Sequence, residues 1–179
     1  SSFIMADNLA PSQQASRRAQ DIRATEYRNM FIENEGLLSK VYRDTKGNRT
    51  IGIGLNLEDK GNQKVIANMG LDLKEILAGK ELERDDIIKL YNHSLTQAFG
   101  DAQKFDPKFA KRPEPVKKAI VDMAFNLGLT KLKKFKKMKA ALDADDYSAA
   151  ADEMVDSNWY RQVKSRGPRT EKLMRSAAR

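Results

Sequence analysis

Apolar and polar positions along this 179-residue chain follow two different rhythms, and the change from one to the other marks its organisation. From Glu83 onward, Ile87, Ile88, Tyr91, Leu95, Ala98, Phe99 and Ala102 recur three and four residues apart, the period of a helix with one buried face. That long helix ends before Pro107. Pro113 and Pro115 punctuate a connection, and Val116, Ala119, Ile120, Met123, Ala124 and Leu127 form the next apolar stripe. Further helices are expected at Lys131 to Leu142, Tyr147 to Val155 and from about Thr170 to the end, with one short helix or two between Val65 and Ala78. Upstream, Glu26 to Asn34 carries Met30 and Phe31 on one side and stops near Gly36, a fitting C-terminal cap.

Between Gly36 and Gly54 the rhythm changes. Val41-Tyr42 and Arg49-Thr-Ile-Gly-Ile53 are strand formers, and they bracket Asp44-Thr-Lys-Gly-Asn48, a cluster of turn residues. That is the pattern of a β-hairpin. Residues 1–24 are polar and alanine-rich, with a helix start at Pro11-Ser12, and are expected to form an N-terminal extension, either a loose arm or a packed helix. Residues 25–179 are expected to form one domain: a small α/β lobe at 25–82, a connecting helix at 83–106 and a larger helical lobe at 107–179. The class is α+β, with an active-site cleft expected between the lobes.

Composition narrows the chemistry. The chain has no cysteine, which excludes disulfides, thiol nucleophiles and thiolate metal sites, and a single histidine, His93. The net charge of +8 points to a polyanionic partner. No apolar run approaches the ~20 residues of a membrane span. The first residues lack the charged and then apolar layout of a signal peptide.

Glu35 falls at the expected helix end, where the partial negative charge of the helix dipole favours a protonated carboxyl. Asp44 falls nine residues later in the turn, where amides and water favour the charged form, and Thr50 follows across the hairpin with a hydroxyl able to donate and accept. A protonated acid and a charged carboxylate on two faces of one bond are what glycoside hydrolysis requires.

The setting of these residues is specific. Glu35-Gly-Leu, Tyr42-x-Asp44-Thr-x-Gly47 and Thr50-Ile-Gly-Ile-Gly54, with Ala124-Phe-Asn-Leu-Gly128, Ser157-Asn-Trp-Tyr160 and Arg166-x-x-Arg169, resemble the phage-type lysozymes, glycoside hydrolase family 24, over about residues 25 to 175. The resemblance implies a lysozyme-like fold and a muramidase that cleaves the β-1,4 bond between N-acetylmuramic acid and N-acetylglucosamine, with inversion. It implies Glu35 as general acid, Asp44 as the carboxylate that activates or stabilises, Thr50 as the residue that positions water, and Arg166 as a partner of Glu35. Asn56, Phe125, Asn126, Met138 and Glu153 fall on positions that line the sugar groove, although Met138 replaces a small polar residue and Glu153 an amide. Leu55 and Ser94 stand where many members carry a histidine and its acidic partner. The implied partner is bacterial peptidoglycan, reached by a phage-encoded protein either released through a permeabilised host membrane or carried on the virion.

Other signals are weaker. Ile51-Gly-Ile-Gly54 lacks the third glycine and the helix of a dinucleotide fingerprint. Asp143, Asp145 and Asp146 lack the glycine and closing glutamate of a calcium loop, so no metal and no cofactor are expected. Six lysines crowd Lys131 to Lys139, with Leu132, Phe135 and Met138 as an apolar stripe between them. This is an amphipathic helix whose solvated face would attract anionic envelope polymers or lipid. Phe135 on the apolar stripe argues against a specific nucleic-acid partner. The alternative class is a non-catalytic cationic module that binds the envelope or nucleic acid on the same fold.

Overall fold

A computed structural model describes residues 10–178. Contacts divide the chain into two units, residues 1–36 and 37–179. In the first, helix α1 (Pro11–Glu35) starts with proline in its first turn, where a missing N–H costs nothing. No glycine or proline interrupts it, so it runs straight through the boundary expected after residue 24. Tyr27 and Phe31, four residues apart on one face, are buried. The helix stops at Gly36, whose φ of 77° lies in the region that favours glycine and whose N–H donates to the Ile32 carbonyl at 2.7 Å.

The second unit opens with an antiparallel sheet of three strands in chain order, β1 (Leu38–Arg43), β2 (Arg49–Gly52) and β3 (Leu55–Asn56). The first two are the expected hairpin. The third, two residues long, is too short for periodicity to reveal. Register places Tyr42 opposite Thr50, and Thr50 opposite Asn56, so the three share one face in a row across the sheet. The alternate row, Ile51 opposite Leu55, is buried. Short helices α2 (Lys60–Asn68) and α3 (Leu73–Leu77) follow, each started by an aspartate, Asp59 and Asp72, that accepts a hydrogen bond from a first-turn amide.

Helix α4 (Arg84–Phe105) is the expected long helix, burying Ile87, Leu90, Tyr91, Ala98, Ala102 and Phe105 on one side. It packs against β2, where a Cβ on Gly52 would come within 3.1 Å of Ile87 Cγ2. A short 3-10 turn (Phe109–Lys111) leads to α5 (Glu114–Leu132), α6 (Lys136–Asp143), α7 (Tyr147–Val155), α8 (Asn158–Gln162) and α9 (Arg166–Ser176). The class is α+β, as expected.

Two helical details differ from the sequence reading. Helix α5 is kinked at Gly128, which has φ 75° and ψ 166°. The helix expected over Lys131 to Leu142 is broken after Leu132 by a tight turn in which Lys134 and Phe135 amides donate to carbonyls three residues back. Leu132, Phe135 and Met138 lie three apart, and the break lets both Leu132 and Met138 be fully buried. At the other end of α4, Arg112 grips Asp106 through Nε and Nη2 at 2.8 and 3.0 Å and reaches Asp145 at 2.6 Å through Nη1. Asp106 holds this guanidinium well above its ordinary range, against the opposing effect of burial.

Candidate active site

Glu35 belongs to the first unit, as the last residue of α1, and is half-buried. All the other predicted site residues belong to the second unit. Strand β1 delivers Asp44 to the turn, and the turn fixes it with its own backbone. Asp44 Oδ1 accepts from the Lys46 amide at 2.9 Å and the Asn48 amide at 2.8 Å, while Asn48 Nδ2 donates to Oδ2 at 3.4 Å. This is an aspartate-closed turn, and Gly47 at φ 83° supplies the left-handed residue it needs. The carboxylate is therefore held by amide donors while remaining partly open to solvent.

Thr50 is joined to the same point. Its hydroxyl donates to the Asn48 carbonyl at 2.9 Å, and that carbonyl also accepts from the Asp44 amide at 2.9 Å. Asp44 and Thr50 are thus locked to each other through the main chain of Asn48. Thr50 is only 2% exposed, so its hydroxyl has a single direction fixed rather than a free rotor. Asn56, opposite Thr50 on β3, is half-buried. Its Oδ1 accepts from the Glu58 amide at 2.8 Å, and its carbonyl accepts from Asn62 Nδ2 at 3.0 Å. Beside the turn, Arg49 pairs with Glu58 through two hydrogen bonds and holds that carboxyl below its usual range.

In the helical part, Phe125 is half-buried on α5, its ring 6.3 Å from that of Tyr91 on α4. Asn126 accepts through Oδ1 from Trp159 Nε1 at 2.9 Å, which fixes the amide two residues before the Gly128 kink. Trp159 is itself buried, with its ring edge-on to Phe135 at 6.4 Å. Glu153 is half-buried on α7. Met138 is a correction: it is fully buried, so it fills the core and offers no wall to a sugar. The stripe that carries it is apolar because α6 packs there.

Arg166 is buried and donates to Asp122 through Nε at 3.1 Å and Nη2 at 2.7 Å, and Thr170 Oγ1 donates to the same carboxylate at 2.8 Å. The sequence reading missed Asp122. A lone aspartate inside the stripe from Val116 to Leu127 was the available signal, since a charge buried in an apolar run must be paired. It also missed Asn48, whose contribution is largely main chain and so leaves no side-chain signature.

Asp143, Asp145 and Asp146 serve separate structural ends: Asp143 pairs with Lys139, Asp145 with Arg112, and Asp146 starts α7. Among the described residues, no group of three or more histidine or acidic side chains is arranged to hold a metal. Nor is any described helix long and apolar enough to cross a membrane.

Comparison with known proteins gives this arrangement its context. The family model described as "Phage lysozyme" matches residues 32–178. The pre-baseplate central spike protein of enterobacteria phage T4 is 30% identical over 155 residues, which covers 81% of this chain but only 27% of the spike protein. Two Dictyostelium discoideum proteins, probable T4-type lysozymes 1 and 2, are 28% and 24% identical, each over 79% of this chain and 89% of their own length.

Proposed function

This chain belongs to the phage lysozyme family of glycoside hydrolases, and we propose that it is a muramidase cleaving the β-1,4 bond between N-acetylmuramic acid and N-acetylglucosamine in peptidoglycan. The observation that carries the assignment is the coupled turn. Asp44 is held as an acceptor by two backbone amides, and Thr50 is tied to it through one shared carbonyl. A carboxylate held in this way keeps its direction without depending on a flexible partner.

In this scheme Glu35, at the end of α1, protonates the leaving glycosidic oxygen. Asp44 accepts a proton from the attacking water, and the Thr50 hydroxyl orients that water. Attack from the face opposite the leaving group inverts the anomeric centre. Asn56, Phe125, Asn126, Glu153 and Arg166 are assigned to the sugar groove and its support. The match to a stretch of a phage spike protein supports a phage-encoded protein that acts on the wall at entry, and the match to two probable lysozymes supports the same chemistry in a free enzyme.

The test is loss of turbidity in cells whose outer membrane has been permeabilised. The native chain is expected to clear them, and Glu35→Gln to do so slower by roughly a hundredfold or more, the scale of general-acid catalysis. Equal clearing by both would end the enzymatic assignment. Product analysis by proton NMR should find the α-anomer released first, whereas a β-anomer would refute inversion.

A further inference from the structure

We propose that the lysines at the junction of α5 and α6 form a docking surface for a phosphate-bearing wall polymer, a second hold on the envelope separate from the cleaving residues. The inference rests on the muramidase reading above. Lys131, Lys133, Lys134, Lys136 and Lys137 are all exposed. Among the described residues, the side chains of these five take part in no ion pair or hydrogen bond. Some other lysines do pair: Lys80 with Glu75, Lys117 with Glu114, and Lys139, next in the same run, with Asp143. The five alone equal more than half of the chain's net charge of +8.

Crowding like charges within seven residues costs stability, and among the described residues no ion pair of these five offsets it. An extended polyanion would. Seven residues reach at most ~25 Å even when fully extended, so the five lysines leave the backbone within that span. Each is a flexible, strongly hydrated point charge rather than a fork for one planar ligand, which suits a row of phosphates better than a single carboxylate. Neutralising several phosphates at once releases their counterions, which makes binding tight at low salt and steeply salt-dependent.

The same segment argues against the other polyanions. Leu132 and Met138 are fully buried and Phe135 lies edge-on to Trp159, so no apolar side chain of this run is left to enter a bilayer. No exposed aromatic is interleaved with the lysines to stack on bases. What remains is charge alone, which suits a polyanion attached to the proposed substrate.

The test is co-sedimentation with purified sacculi that retain their phosphodiester polymer, and with the same sacculi stripped of it by hydrofluoric acid, over a range of salt. The protein is used as Glu35→Gln so that the wall is not consumed, with and without glutamine at all five lysines. Retention on intact sacculi should weaken on the order of tenfold in the five-lysine variant, with a flatter salt dependence, and the two proteins should bind stripped sacculi alike. The five-lysine variant of the native chain should still release fragments from stripped sacculi at the native rate, which shows that it folds. Equal retention of both proteins on intact sacculi, or equal retention by intact and stripped walls, overturns the proposal. So does uptake by phosphatidylglycerol vesicles or duplex DNA as strong as by intact wall. Absence of fragment release alongside polymer-dependent retention would instead reject the muramidase reading and leave the surface standing.

Discussion

Two aspartates in the second unit solve the same physical problem in opposite ways. Asp44 sits in a turn, partly open to water, and its Oδ1 accepts from two backbone amides. Asp122 is wholly buried, and its acceptors are filled by Arg166 and Thr170 from a helix 44 to 48 residues away in the chain. The first arrangement is local and leaves room for a partner. The second ties α5 to α9 and leaves none. A charge meant to react can be held by neutral dipoles near solvent, whereas a charge meant to hold a fold must be neutralised where it is buried.

If that contrast is right, Asp122→Ala should be the most damaging of the changes considered. It takes the Asp122 carboxylate away from the buried Arg166 guanidinium, and chemical denaturation should find a loss of about 3–5 kcal/mol. A loss below 1 kcal/mol would mean that the pair is incidental. Gly52→Ala should fall next, at roughly 1–3 kcal/mol, because φ is 67° and the added carbon meets Ile87. This change asks whether the sheet is as intolerant as the helical core where α4 presses on it. A thermal melt unchanged from the native protein would show that it is not. Asp44→Asn should be the mildest for folding, under about 1 kcal/mol, since an amide oxygen still accepts from Lys46 and Asn48. Its lytic rate should nonetheless fall sharply in the turbidity assay. A stable, fully lytic variant would remove Asp44 from the mechanism.

The same contrast explains what the sequence could reveal. The hairpin was legible because a turn is built by local residue types, Asp44, Gly47 and Asn48, between strand formers. The start of α1 at Pro11 and the extent of α4 were legible for the same reason, since caps and period are local. Asp122 was not, because its meaning depends on Arg166 and Thr170, and no periodicity announces a partner that far along the chain. Met138 was misplaced because a position was carried over by spacing alone, while its neighbours Leu132 and Phe135 already marked the stripe as inward. The break after Leu132 depends on how two stripes meet in space, which a single helical period cannot express. The three active-site candidates drew on both sources: local chemistry suggested Glu35, Asp44 and Thr50, and the resemblance assigned their tasks.

The carbonyl of Asn48 carries a consequence for variation at this position. It receives both the Asp44 amide and the Thr50 hydroxyl, and the Asn48 amide in turn supports Asp44 Oδ1. These three links belong to the main chain, so every residue type supplies them except proline, which lacks the amide hydrogen. A saturation library at position 48 should therefore retain lytic clones with very different side chains and lose the proline clone. Mutational tolerance would then be greatest at the very residue through which Asp44 and Thr50 are coupled. Sequence drift at position 48 would cost only the long Nδ2 contact to Asp44 Oδ2, while drift at its two neighbours would break the bond network itself.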